Sequence, residues 1–273
     1  MTLGASAEPP NPKGEGFRVA LAPLGALLWV LALVPPLSQW AQRYEYVQSI
    51  QYCLFAISIP ALLVAGAPWR RIGLATRAPY EFNADGIARP TSRALWLDRL
   101  AIARYGHPAA HRAYGLGVLF CVTSIVWRTV PAVNALVNHP WLVPVESLTL
   151  VGVGVVLWLD LVESRPLRPG PTRPYRIGIS AVAMWTVWVL AYLSAMSDRP
   201  WYSAFAHVAG PHLSGDIDQQ IGAACMWFLS AGAFLPVIYW NLVHWLASED
   251  DPDDELYRLM RNQRIYGGVD SVD

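Results

Sequence analysis

Six stretches of this chain are apolar nearly all round. They run from Val19 to about Leu37, Val47 to Gly66, Tyr114 to Val133, Leu142 to Leu161, Ile177 to Ala195 and Ile221 to about Leu246. A bilayer core of about 30 Å takes roughly 20 apolar residues of helix. Each stretch is too long for a buried strand, and none carries the polar stripe of a soluble bundle. In lipid every backbone N–H and C=O must find a partner inside the protein, so these stretches should be helices. The expected fold is all-α: a polytopic membrane protein, a bundle of six transmembrane helices. Residues 1–18 read as a loose polar tail, 19–247 as the membrane domain and 248–273 as an acidic tail.

The charges lie between the apolar stretches and set an orientation. Eight arginines from Arg70 to Arg112 separate spans two and three, and Arg165, Arg168, Arg173 and Arg176 separate spans four and five. With Arg258, Arg261 and Arg264, and with Lys13 and Arg18, they share one side of the expected bundle, against Arg43 and Arg199 on the other. The side rich in basic residues is the cytoplasmic one, so both termini should be inside, in a bacterial plasma membrane. Span one is too long for a signal-peptide core and no small-residue cleavage site follows it, so it should stay as an anchor.

Composition narrows the function classes. The 273 residues have a formal net charge of +0 and only 15% are charged, against about 25% in soluble domains. That excludes a disordered chain and a nucleic-acid binder working through net charge. Cys53, Cys121 and Cys225 lie in apolar stretches, are odd in number and lack CxxC spacing, so no disulfide framework is expected. Within the Arg-rich segment 67–112, residues 95–105 (LWLDRLAIARY) read either as a helix on the lipid surface or as a solvated loop. The run EDDPDDE at 249–255 reads as a solvated stop, with a docking patch for a basic partner as the alternative.

Ionisable groups inside spans are the default candidates for function. Arg128 in span three and Glu146 in span four fall at matched outer depth on expected neighbours, and should pair. The alternative is that Arg128 snorkels to the interface. Asp160, near Arg165 at the cytoplasmic end, reads as structural. Gln48, Gln51 and Tyr52 share a face at the start of span two. Asp218, Gln219 and Gln220 open span six, with Asp218 placed to cap that helix. The eight of these residues other than Asp160 form one outer-leaflet polar layer: a hydrogen-bonded plug fixing the packing, or a site open to the outer face. Cys53, Cys225 and Met226 lie just inside it and are candidate Cu(I) ligands, thiolate and thioether being soft donors; buried packing is the alternative. The histidines, His107, His111, His139, His207, His212 and His244, make no zinc or copper constellation by spacing. Gly152 and Gly154 in span four suit close helix approach. No nucleophile, base or cofactor motif is placed, so an enzyme is not expected.

Span six, DQQIGAACMWFLSAG (218–232), resembles the DQQ-G-G-MW signature of the CtaG-like cytochrome c oxidase assembly factor family. QSIQYCLFAISIPALLVAGAPW (48–69) is similar to that family's second span, and WRTVPAVNALVNHPWLVPVESLTLVGVGVVLW (127–158) resembles its third and fourth. The resemblance covers spans two to six. It implies a factor in the biogenesis of a haem–copper terminal oxidase, with oxidase subunits as partners and copper as the associated metal. Where the family has histidines this chain has Gln48, Tyr52, Arg128, Val143 and Ser147, while Gln51 and Glu146 fit. Arg128 could then supply beside Glu146, as a fixed cation, the charge a metal would bring. The alternatives are a permanent accessory subunit of a respiratory membrane complex, whose stoichiometry would be one-to-one, and a small-solute transporter. Against the transporter, no polar stripe crosses a span and no inverted repeat of broken helices is visible.

Overall fold

The computed structural model describes residues 12–68, 80–82, 88–90, 109–162, 164, 171–197, 199–206 and 214–249. They are mostly helical, joined by turns, with one short antiparallel pair, β1 (Tyr80–Phe82) and β2 (Ala88–Pro90), in which Glu81 is opposite Arg89. The expected surface helix at 95–105 and the acidic run beyond Glu249 lie outside the described residues.

Four helical stretches are long and apolar enough to cross a membrane: Glu45–Ala65, Pro140–Leu161, Arg173–Ala195 and Gly215–Ala247. A fifth is a bent pair, Arg112–Trp127 with Val130–Asn138, at 60°. The expected first span is the sixth apolar helix and falls short of that length. Helix α1 (Pro12–Leu33) starts earlier than expected, inside the supposed tail, but its apolar part is only Ala20–Leu33. Pro35 and Pro36 follow, disfavour helix and lack N–H groups. The chain then forms the short α2 (Leu37–Ala41).

The second span is α3 (Glu45–Cys53), a π turn (Leu54–Ser58) and α4 (Ile59–Ala65). Pro60 is the reason for the π turn. It has no N–H for the carbonyl of Ala56, and the Ile59 N–H bonds back to Leu54 instead. The third span is α5 (Ala109–Trp127) and α6 (Val130–Asn138) rather than the single helix expected. Pro131 again removes a donor, and Thr129 turns extended, with φ −67° and ψ 148°. A 3₁₀ turn (Pro140–Leu142) leads into α7 (Val143–Leu161), followed by α8 (Arg173–Ala195) and α9 (Gly215–Glu249).

Helices α8 and α9 pack along their length, α9 also lies against α3, and α5 sits between α7 and α8. The core holds Tyr52, Phe55, Phe120, Leu150, Leu157, Met226 and Phe234, all essentially buried. Trp158 stacks on Phe234 at 5.3 Å between ring centroids. Outside it, Val118, Trp185, Phe228 and Tyr239 are among many large apolar side chains left exposed, as a lipid-facing surface requires. Two glycines set the closest approaches. A Cβ on Gly66 would lie 2.3 Å from the Ala22 nitrogen, joining α1 to the end of α4. One on Gly154 would lie 2.6 Å from Pro60 and 2.8 Å from the Ala56 carbonyl oxygen. Gly152, expected to share that role, faces open space instead. At the other end of the bundle Asp160 pairs with Arg112 at 3.1 Å; Arg165 is outside the described residues.

Candidate functional site

The starts of α3, α7 and α9 and the break between α5 and α6 meet at one end of the bundle. The break makes the site. Arg128 lies at the end of α5, where the backbone tightens: its N–H bonds to Ile125 O at 3.0 Å instead of continuing to Ser124 O. Two tyrosines take the Ser124 carbonyl this releases and the carbonyl of Arg128 itself, which lies between the two helices. Tyr52 from α3 donates to Ser124 O at 3.4 Å, and Tyr202 from the 199–206 segment donates to Arg128 O at 3.0 Å. The same two rings flank the Arg128 guanidinium, with centroids at 5.4 and 5.1 Å, within cation–π range. Burial raises the Tyr202 phenol above its ordinary value, and the charge of Arg128 works against that rise.

Arg128 is buried and donates to Gln48 Oε1. Gln48, not Glu146, is its hydrogen-bond partner. Among the described residues Arg128 and Glu146 share no ion pair, although the charge of Arg128 acts on both Glu146 and Glu45. The expected pairing fails because the break at 128–129 lifts Arg128 out of the α5 helix and presents it to α3. Snorkelling fails as well, since Arg128 is 4% exposed. The carboxylates Glu45 and Glu146 are each 1% exposed. Both oxygens of Glu45 and Oε1 of Glu146 accept no hydrogen bond from the described groups.

The other layer residues tie elements together. Asp218 sits in the first turn of α9, yet it caps α3: its two oxygens accept from the Glu45 N–H at 2.8 Å and the Tyr46 N–H at 3.0 Å. The expected cap of its own helix is therefore corrected. The start of α3 needs an acceptor because residue 44, at its cap position, makes no side-chain bond. Gln219 accepts from the Trp201 N–H at 2.6 Å and donates to Ser194 O at 2.5 Å, fastening the 199–206 segment to the end of α8. Gln51 donates to Ala32 O at 2.6 Å, holding α1. Ser147 accepts from Trp29 at 2.5 Å. Gln220 is exposed and does not join the layer.

Cys53 is buried on α3, Met226 is buried on α9 and Cys225 is half-buried beside it. Cys53 and Cys225 are close enough to interact electrostatically. Among the described residues no three His, Cys, Asp or Glu side chains converge as metal donors. The buried cation Arg128 also acts on Cys53, an unfavourable neighbour for a metal ion. Where the resemblance implies histidine ligands this chain has Gln48, Tyr52, Arg128, Val143 and Ser147, so those positions do not fit the family's histidine copper centre. Sequence reasoning missed Glu45 and Tyr202. Glu45 was visible in the helical spacing 45–48–52, extended one turn upstream of the apolar run; Tyr202 lies in a segment without periodicity.

A narrow cleft opens beside this cluster. Its wall includes Ser38, Gln42, Gln48, Gln51, Val143 and Glu146. Fold and site together define a polytopic helical membrane protein with a charged cluster buried at one end. The profile of the caa3-type cytochrome c oxidase assembly factor family (Caa3_CtaG) matches residues 11–248. The chain belongs to that family. No curated protein and no solved structure matches it.

Proposed function

We propose that this protein acts in the assembly of a haem–copper terminal oxidase of the caa3 type, in a bacterial plasma membrane. The observation that carries this is the family match, which spans the chain from the start of α1 to the end of α9. The chain crosses the bilayer six times, with α1 as a short first crossing and α5–α6 as one bent crossing. Both termini are cytoplasmic, which the distribution of basic residues supports. The buried cluster then lies toward the outer leaflet. It acts as a rigid polar plug that fixes α3, α7 and α9 against the bent span and holds the 199–206 segment for contact with oxidase subunits. It does so without the family's histidine copper site.

The test is deletion of the gene with quantitation of the oxidase. Membranes lacking this protein should assemble oxidase subunits with a several-fold lower yield of active enzyme, restored by the wild-type gene. A tagged chain should co-purify with oxidase subunits at well below one-to-one. An oxidase of full activity and full metal content in the deletion strain would overturn the reading. A fixed one-to-one complex would replace it with a permanent subunit.

A further inference from the structure

Helix α9 is the least covered of the four helical stretches long enough to cross a membrane. Of its apolar stretch 28% is buried, against 67% for Glu45–Ala65. It also runs on through a proline. Pro236 lies inside α9 and has no N–H to offer the Gly232 carbonyl one turn earlier. Both residues are exposed, and a Cβ on Gly232 would meet nothing within 4 Å. In hydrocarbon, a carbonyl freed by proline is satisfied by a neighbouring helix or a polar side chain. Among the described residues no side chain donates to this one.

An unmatched donor lies at the same level on α8. Trp188 Nε1 donates to Ser230 Oγ at 3.0 Å, and Trp227 Nε1 donates to Trp188 O at 3.2 Å. Gln219, early in α9, donates to Ser194 O at the end of α8, so the two helices run antiparallel. Trp185 is one turn inward of Trp188, and Gly232 is half a turn inward of Ser230. At a rise of 1.5 Å per residue, both lie within about 5 Å of the level of the Trp188–Ser230 bond. The Trp185 ring is exposed and packs on Trp188 at 5.6 Å between centroids, and its indole N–H makes no hydrogen bond with a described residue.

These two groups sit on opposite flanks of the exposed face. Trp227 turns toward α8, and Gly222 turns toward α3, where a Cβ would lie 3.0 Å from Ser49 Oγ. Gly232 lies about 80° round the helix from Gly222 and about 140° from Trp227. It is therefore on the α3 flank, and Trp185 is on the α8 flank.

We propose that the α8–α9 face binds a second copy of this chain, in a dimer whose two-fold axis runs along the bilayer normal. Copies inserted in the same sense keep every residue at its own depth under that axis, and the α8 flank of one faces the α3 flank of the other. Trp185 of each copy then donates its indole N–H to the Gly232 carbonyl of the other. Gly232 has no side chain to hold the two α9 helices apart. A lipid tail offers neither a donor nor an acceptor. A different helix would have to bring both to this depth, and this chain already carries them there. The dimer does not depend on the role in oxidase assembly.

The experiment uses the full-length protein, carrying a donor or an acceptor dye on an appended C-terminal tag, in phosphatidylcholine vesicles. Energy transfer is followed as the protein-to-lipid ratio falls, and the wild type should follow a monomer–dimer curve. Trp185→Phe keeps an aromatic ring and removes the donor. Pro236→Ala gives the Gly232 carbonyl an N–H within α9. Each should raise the dissociation constant several-fold, and the double variant should be little weaker than either single one. Unfolding midpoints in detergent should be unchanged for Trp185→Phe and unchanged or raised for Pro236→Ala. Should Trp185→Phe fail to fold, Pro236→Ala carries the test. Transfer no greater than that of freely diffusing labels at every ratio overturns the proposal. So does a dissociation constant left unchanged by either folded variant. A monomeric wild type that captures an oxidase subunit, and loses it in these variants, also overturns it and assigns the face to that subunit.

Discussion

Two spans of this protein are broken by proline, and the two breaks are closed in opposite ways. In the second span Pro60 frees the Ala56 carbonyl, and the gap is filled by the bare backbone of Gly154 on α7. The closure is apolar and depends on the absence of one Cβ. In the third span α5 ends at Trp127, ahead of Pro131 in the first turn of α6, and the carbonyls of Ser124 and Arg128 at the break are met by the hydroxyls of Tyr52 and Tyr202. That closure is polar and gathers a guanidinium and two carboxylates around it. In a medium without water a freed carbonyl is costly unless a donor meets it; the third-span break gains such donors, whereas the second-span break is only packed over closely. That difference decides whether the break becomes a packing joint or a charged site.

The largest way to break the contrast is Arg128→Leu. It leaves the buried carboxylates without their cation, and losing one member of a buried charged set costs about 3–5 kcal/mol. Reversible unfolding in detergent should show that loss. A double-mutant cycle sharpens the result. Arg128→Leu with Gln48→Leu should depart from additivity by about 1–2 kcal/mol, because the two share a hydrogen bond. Arg128→Leu with Glu146→Gln should come nearer to additive. A larger coupling to Glu146 than to Gln48 would restore the direct ion pair.

Gly154→Ala attacks the other break. Its new methyl meets Pro60 and the Ala56 carbonyl, and overpacking of this kind costs about 1–3 kcal/mol. Gly152→Ala, on the open face of the same helix, should be neutral or slightly stabilising in the same melts, since alanine is the better helix former. Equal losses at both glycines would refute the packing joint.

Asp218→Ala should cost about 1 kcal/mol, the usual worth of a helix cap, and hydrogen exchange should show the loss at the amides of Glu45 and Tyr46 rather than in α9. The smallest effects belong to the tyrosines. Tyr202→Phe should cost about 0.6 kcal/mol, typical of a hydrogen bond inside a membrane protein. Tyr52→Phe should cost less, because its bond to Ser124 O is long at 3.4 Å. The reverse order would mean that Tyr202 contributes through its ring alone.

Much of this was legible in the chain. The helical runs at 142–161, 177–195 and 221–246 correspond to α7, α8 and α9 within a few residues at their apolar cores. The spacing of Gln48, Gln51 and Tyr52 put them on a buried face, and that is where they lie. The end of the first span and the bend of the third were written in Pro35, Pro36 and Pro131, but average hydropathy carries straight across such breaks. Glu45 escaped notice for a similar reason: it precedes the first apolar residue of its span, although the helix begins there.

By itself the sequence determined that the chain forms long apolar helices, that charges lie between them, and that a few polar groups fall at one depth. Periodicity fixes which residues share a face of one helix, and proline fixes where that helix can break. Only the tertiary structure decided the partners. Arg128 meets Gln48 instead of Glu146, Asp218 caps α3 instead of its own helix, and Gly154 rather than Gly152 meets a neighbour. Those choices depend on how each helix is rotated and tilted against the next. That is set by the packing of side chains far apart in the chain, which no local pattern encodes.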